Sequence, residues 1–282
     1  GAGAAGILNI NCDNTLVVNS DDTIVINAVS QGAAYTEGTG EVVKGASTAG
    51  VYNLDDGNIT INAPLNITAK ALGGTAKSSS TSDEATALGT ARGVYNEGNG
   101  WLKVGETTVD VTAIGGTVTG KVVSTRAEAF GVYGSTVQGD LTITKVYAEG
   151  GKSTANGAAD SLAEANAYAK GVKLSDVQGD LLIKEITVKG GNASGGENNN
   201  DSGAFIMGMA DTKVSGAITM NKITAIGGTA SGGRSYTSAS ADGIYNESGT
   251  QNYGVVTISS VEATAGNSLY ASADASGVTS TE

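Results

Sequence analysis

Between Gly131 and Gly151 the chain reads GVYGSTVQGDLTITKVYAEGG, and its apolar positions alternate with polar ones. Leu141, Ile143, Val146 and Ala148 take one side; Thr142, Thr144 and Tyr147 take the other. The pattern returns as Leu181, Ile183, Ile186 and Val188, then as Ile218, Met220, Ile223 and Ala225, and again as Val256, Ile258, Val261 and Ala263. A period of two with β-branched residues predicts strands. Two residues rather than one separate Ile143 from Val146, which predicts a corner between two strands. Ile59/Ile61 and Leu102/Val104 extend the same columns upstream.

A third strand precedes this pair, in the sequences TARGVY, AEAFGVY, AYAKGVK, FIMGMA, ASADGIY and ASADASGV. Ala127, Ala129 and Gly131 share one face of it, and the other carries Arg92, Glu128, Lys170, Asp242 and Asp274. Charge belongs in water, so the Ala/Gly face points inward and lets this sheet approach the Ile/Leu/Val sheet closely. The Val or Ile after each Gly returns inward through a glycine-permitted bulge.

The whole unit recurs about every forty residues, beginning near Gly50, Gly93, Gly131, Gly171, Gly208, Gly243 and Gly277. Such a period marks an array in which each unit covers its neighbour's apolar face. The expected fold is all-β: a single parallel β-helix, or β-solenoid, domain over residues 1–282, with about three strands per coil and roughly six to seven coils. Stacked at about 4.8 Å, the coils make a rod of roughly 30–35 Å, with right-handed crossover as the default. The Gly-Gly after the third column opens the one long connection. It is rich in Ala, Ser, Thr, Gly and Asn, as in GGNASGGENNNDSG, and predicts a variable surface along one edge.

Composition narrows the function classes. The 282 residues include 43 Gly and one Pro, and a net charge of −12 excludes the basic stripe a nucleic-acid backbone requires. The same charge argues against an anionic membrane surface, and no long apolar run predicts a membrane-spanning helix. With no His and a single Cys, neither a nucleophile–His dyad nor a structural zinc site can be built. Cys12 alternates with Leu8 and Ile10 in ILNINC and reads as a small core residue. The chain opens on Gly without Met, as a processed or excised product would.

The remaining candidate chemistry is sparse. Asp140 sits above Asp180 in two VQGDL turns, but the position continues as Ala217, Val255 and Asn58, so these read as solvated turn residues. Asp21-Asp22, Asp55-Asp56-Gly57 and Glu197–Asp201 offer oxygen ligands for Ca2+. None matches a calcium-loop spacing, and Asx-rich turns explain them. No cofactor is expected. Tyr52, Tyr95, Tyr133 and Tyr245 occupy one repeat position, interrupted by Lys173 and Ala210, and form a candidate surface strip. Threonine ranks at Thr60/Asn62, Thr142/Thr144, Thr219/Asn221 and Thr257/Ser259 suggest an ice-binding array, broken at Lys103/Gly105 and Leu182/Lys184.

These columns, with their Gly/Asn/Thr-rich turns, resemble the β-helical passenger domains of bacterial autotransporters and related surface proteins. The likeness is architectural and covers essentially the whole chain. It implies export, a cell-surface location and a rod bearing binding loops. A solenoid exposes unpaired strands at both ends, and no amphipathic helix is evident to cap either one. The expected function is therefore a non-catalytic extracellular subunit that stacks head to tail on copies of itself into a filament. Its assembly edges are Leu8, Ile10, Cys12, Leu16 and Val18 at one end and Ala273, Ala275, Gly277 and Val278 at the other. The alternative is an adhesin passenger whose loops contact a glycan or protein of a host or neighbouring cell. An ice-binding protein or polysaccharide-active enzyme ranks below both.

Overall fold

A computed structural model describes residues 2–9, 15–32, 37–38, 42–54, 56–78, 84–97, 99–156, 160–246 and 253–280. Parallel strands stack in register as a β-solenoid, and no helix occurs among the described residues. Among the described residues the first six coils each pass four faces in turn. Face A holds eight long strands: Ala2–Asn9, Val42–Asn53, Glu84–Asn96, Val122–Tyr133, Leu162–Lys173, Asn199–Ala210, Arg234–Asn246 and Tyr270–Ser280. Face B holds short strands from Thr15–Asn19 and Asn58–Asn62 to Lys213–Val214. Face C runs from Ile24–Gln31 through Leu141–Glu149 to Ile218–Ile226. Its last level is divided into Val256–Ile258 and Val261–Thr264. Face D holds strands of two to four residues, among them Thr117–Gly120, Lys152–Ala155 and Asn192–Ser194.

The predicted inward faces are inward. Ile67, Ile143, Ile183 and Ile186 on face C are fully buried in one core with Ala127, Ala129 and Ala167 of face A. Gly131 and Val132 both turn in, so the strand changes phase there while Phe130 and Tyr133 stay out. Glycine is required at this step. A Cβ on Gly131 would run into the Gly171 carbonyl of the next coil and lie 2.9 Å from Ile143 Cδ1. The same close approach repeats at Gly50, Gly93, Gly171, Gly208 and Gly243.

Three expectations are corrected by register. The corner between Ile143 and Val146 is a bulge inside one strand: Val109 pairs with Ile143 and Asp110 with Lys145, leaving Thr144 as the extra residue. Only at the last level does the strand break there. Ile59/Ile61 and Leu102/Val104 lie on face B, paired with each other. The face-C partners in those coils are Leu65/Ile67 and Thr107/Val109. Leu8 points outward beside Tyr52, because the phase change at Gly6 turns Ile7 and Asn9 inward instead.

The connection read as a long loop is largely strand. Face D lies within it, and each A strand begins within it. Between these pieces sits a second core of small residues, including Ala87, Val118, Val123, Ala163, Ala165 and Ala193. Hydroxyls and amides enter this core with partners. Ser202 Oγ donates to the Gly191 carbonyl at 2.8 Å, and Asn200 exchanges two 3.0 Å bonds with the Gly196 backbone. The Gly-Gly pairs form the waist between the two cores. There the Gly191 N–H reaches the Ala165 carbonyl of face A at 2.9 Å, and a Cβ on Gly150 would sit 2.8 Å from that oxygen.

Candidate functional site at the terminal edges

The first and last strands of face A are equivalent by register. Ala2–Asn9 pairs only with Val42–Asn53, and Tyr270–Ser280 only with Arg234–Asn246. Following the columns, Ala2, Ala4, Gly6, Ile7 and Asn9 occupy the positions of Ala273, Ala275, Gly277, Val278 and Ser280. Both strands thus present a small, small, Gly, β-branched inward face. Around Gly277 nothing approaches a would-be Cβ within 4 Å, so its far side is open. Val278 is 60% exposed, whereas its column mate Val132 is 1% exposed.

Exposed apolar side chains concentrate at these two ends. Among the described residues fourteen large hydrophobic side chains are exposed. Six lie between Leu8 and Val43, six between Tyr236 and Val278, and only Trp101 and Leu174 in the long section between. Of the expected edge residues, Leu16 and Val18 face inward on face B, above Ile59 and Ile61, with their other side uncovered. Ile10 and Cys12 lie outside the described residues. Sequence reading missed Val17, Val25 and Val29, which point outward on the first coil where later coils carry Thr60, Asn66 and Lys70. Reading the columns outward as well as inward would have exposed that change.

The edge continues hydrogen-bond ladders rather than ending them. Asn9 Nδ2 donates to Asn53 Oδ1 at 2.9 Å, and Asn53 Nδ2 donates to Asn96 Oδ1 at 2.8 Å. Asn96 then closes the ladder on the Gly134 carbonyl at 3.1 Å. Amide ladders of this kind are what stacking of like residues produces.

The tyrosine strip is a ladder on the outer side of face A. Tyr52, Tyr95 and Tyr133 follow one another in register; Lys173 and Ala210 intervene before Tyr245. Tyr95 stacks on Tyr133 with centroids 4.7 Å apart, and the Arg92 guanidinium lies 4.6 Å from the Tyr95 centroid. Their ring faces are turned to each other and to Arg92, which leaves little face for a sugar to stack on. Tyr168 and Phe205 form a second stacked pair that sequence reading missed, although both occupy the same repeat position. Burial raises the Tyr52 hydroxyl to about 12, reinforced by its hydrogen bond to Glu97. Glu164 and Asp201 are neighbours on adjacent face-A strands, and burial raises both carboxyls.

The two VQGDL acids act as structural caps. Asp140 and Asp180 each bind a backbone N–H of the following coil. No group of three or more acidic, His or Cys side chains able to hold a metal occurs among the described residues. Asp55 lies outside them. The threonine ranks do not form one array, because Thr60 is on face B. The face-C column reads Val25, Asn66, Thr108, Thr142, Leu182, Thr219 and Thr257. No family model, curated protein or solved structure matches the chain.

Proposed function

We propose that this chain is a non-catalytic structural subunit that continues its solenoid from one copy into the next, giving an open head-to-tail filament. The observation that carries this reading is the concentration of exposed apolar side chains at the two terminal edges. Unpaired parallel strands with uncovered inward faces are templates for further strands, and a heterologous contact that does not close propagates indefinitely. The cell surface is the setting we propose, on the architectural resemblance to surface solenoids.

The level count defines the junction. Among the described residues face A has eight levels, while face C has seven, two strands sharing the last. When the Ile24–Gln31 edge of one copy meets the Val256–Thr264 edge of another, a single face-A level remains for two strands. Ala2–Asn9 of the first copy and Tyr270–Ser280 of the second compete for it, and their matching inward faces fit either one to it. Each copy then adds seven coils, about 34 Å at the usual strand spacing.

Sedimentation velocity over a concentration series tests the reading. Mass that grows without a fixed stoichiometry is expected, and Leu16→Asp at the first edge should stop growth while leaving the monomer folded. A fixed monomer across the series, or growth untouched by Leu16→Asp, contradicts it.

A further inference from the structure

The basic residues are not spread along the chain. All sixteen lie between Lys44 and Arg234, where eighteen acidic residues leave a net charge of only −2. Residues 1–43 carry five acidic side chains and no basic one, and residues 235–282 carry another five and none. The two ends thus hold −5 each of the total −12. Asp21 and Asp22 are exposed at the corner between faces B and C of the first coil. Glu262 and Asp274 are exposed on the last levels of faces C and A. Their neighbours in the adjoining strand are Thr224 and Ser240, which supply no counter-charge. Asp242 accepts the Thr279 hydroxyl at 2.7 Å, and its outward neighbours are Met207 and Ser276. The ion pairs Arg126–Glu128 and Glu185–Lys222 both lie in the balanced central section.

We infer that end-to-end assembly is gated by ionic strength: the like-charged ends hold copies apart in dilute salt and join when screened. This rests on the stacking reading above. Exposed charges interact across about 30 Å at 0.01 M salt but only about 8 Å at 0.15 M. In dilute salt Asp21 and Asp22 on one end therefore oppose Glu262 and Asp274 on the other. At physiological salt only the closest do, and the apolar edges dominate. The neutral middle fits the same logic, since it leaves the flanks of the rod with little net repulsion while the tips repel.

The test follows growth of the purified full chain by light scattering between 10 and 150 mM NaCl at constant pH. The growth rate should rise with salt by about tenfold or more, the lower end of electrostatic effects on association. Reversing one end with E247K, E262K, D274K and E282K together takes that section from −5 to +3. The variant should assemble in dilute salt and slow as salt is added. That inversion separates screening from salting-out of apolar surface. The milder pair E262Q and D274N, checked for folding by circular dichroism, should lower the salt needed. Growth that ignores or falls with salt in the unaltered chain overturns the gating and leaves stacking standing. No growth at any salt, with the reversed-end variant also monomeric, overturns the stacking reading and the gating with it.

Discussion

The Asp140 carboxylate accepts the backbone N–H of Asp180, one coil further on, at 2.9 Å. Asp180 repeats the bond to Ala217 at 2.8 Å. These two acids, aligned by the repeat in successive VQGDL turns, are engaged in holding B-to-C corners in register. Asp140→Ala should cost about 1 kcal/mol, the usual worth of such a bond. Asp140→Asn keeps an acceptor oxygen and should cost less. Chemical denaturation of both variants measures the difference.

Gly131→Ala should be far more damaging than its single methyl suggests. The new Cβ would meet the Gly171 carbonyl of the next coil and Ile143 Cδ1 of its own coil. A loss of about 2–3 kcal/mol is expected, in the range of overpacked cores. Gly277→Ala, with nothing within 4 Å, should leave the isolated chain unchanged. Thermal melts of the two variants under non-assembling conditions decide this.

Stability should depend on pH through Glu164 and Asp201. Burial raises both carboxyls above their ordinary values of 4.5 and 3.8, so the folded chain holds its protons more tightly than the unfolded chain. Their contribution is fully present below those ordinary values and is lost as pH rises through the folded values. Glu164→Gln combined with Asp201→Asn should flatten that decline and raise stability at neutral pH. Denaturation midpoints from pH 3 to pH 7 test it; an unchanged profile would count against the burial argument.

Removing Tyr270–Glu282 should not prevent assembly. The vacated level is then free for Ala2–Asn9 of the next copy, and growth should quicken because one competitor is gone. Removing residues 1–9 and 270–282 together leaves the level empty and should slow growth sharply. Turbidity of the three chains ranks them.

Much of this fold is written in local pattern. Alternation at Leu141/Ile143 and the Ala-x-Ala-x-Gly strands identify inward faces because each position's neighbours repeat it. Register is less legible. Ile59/Ile61 on face B and Ile67 on face C obey the same apolar-x-apolar rule, and only pairing across coils separates them. Face D escaped for a different reason. Its strands bury Ser153, Ala193 and Ala230, whose stabilisation comes from hydrogen bonds and close approach rather than bulk. Leu16, Val18 and Val278 lie on strands paired on one side only. The orientation of Leu8 depends on a phase change at Gly6 that alternation alone does not reveal.

Electron microscopy of the assembled chain with measurement of the axial repeat tests end-to-end stacking most directly. Fibres one solenoid wide, with a subunit repeat of about 34 Å from seven coils at the strand spacing, are the predicted result. Particles that stay single at every salt and concentration, or fibres whose strands run across copies side by side without that repeat, would contradict it.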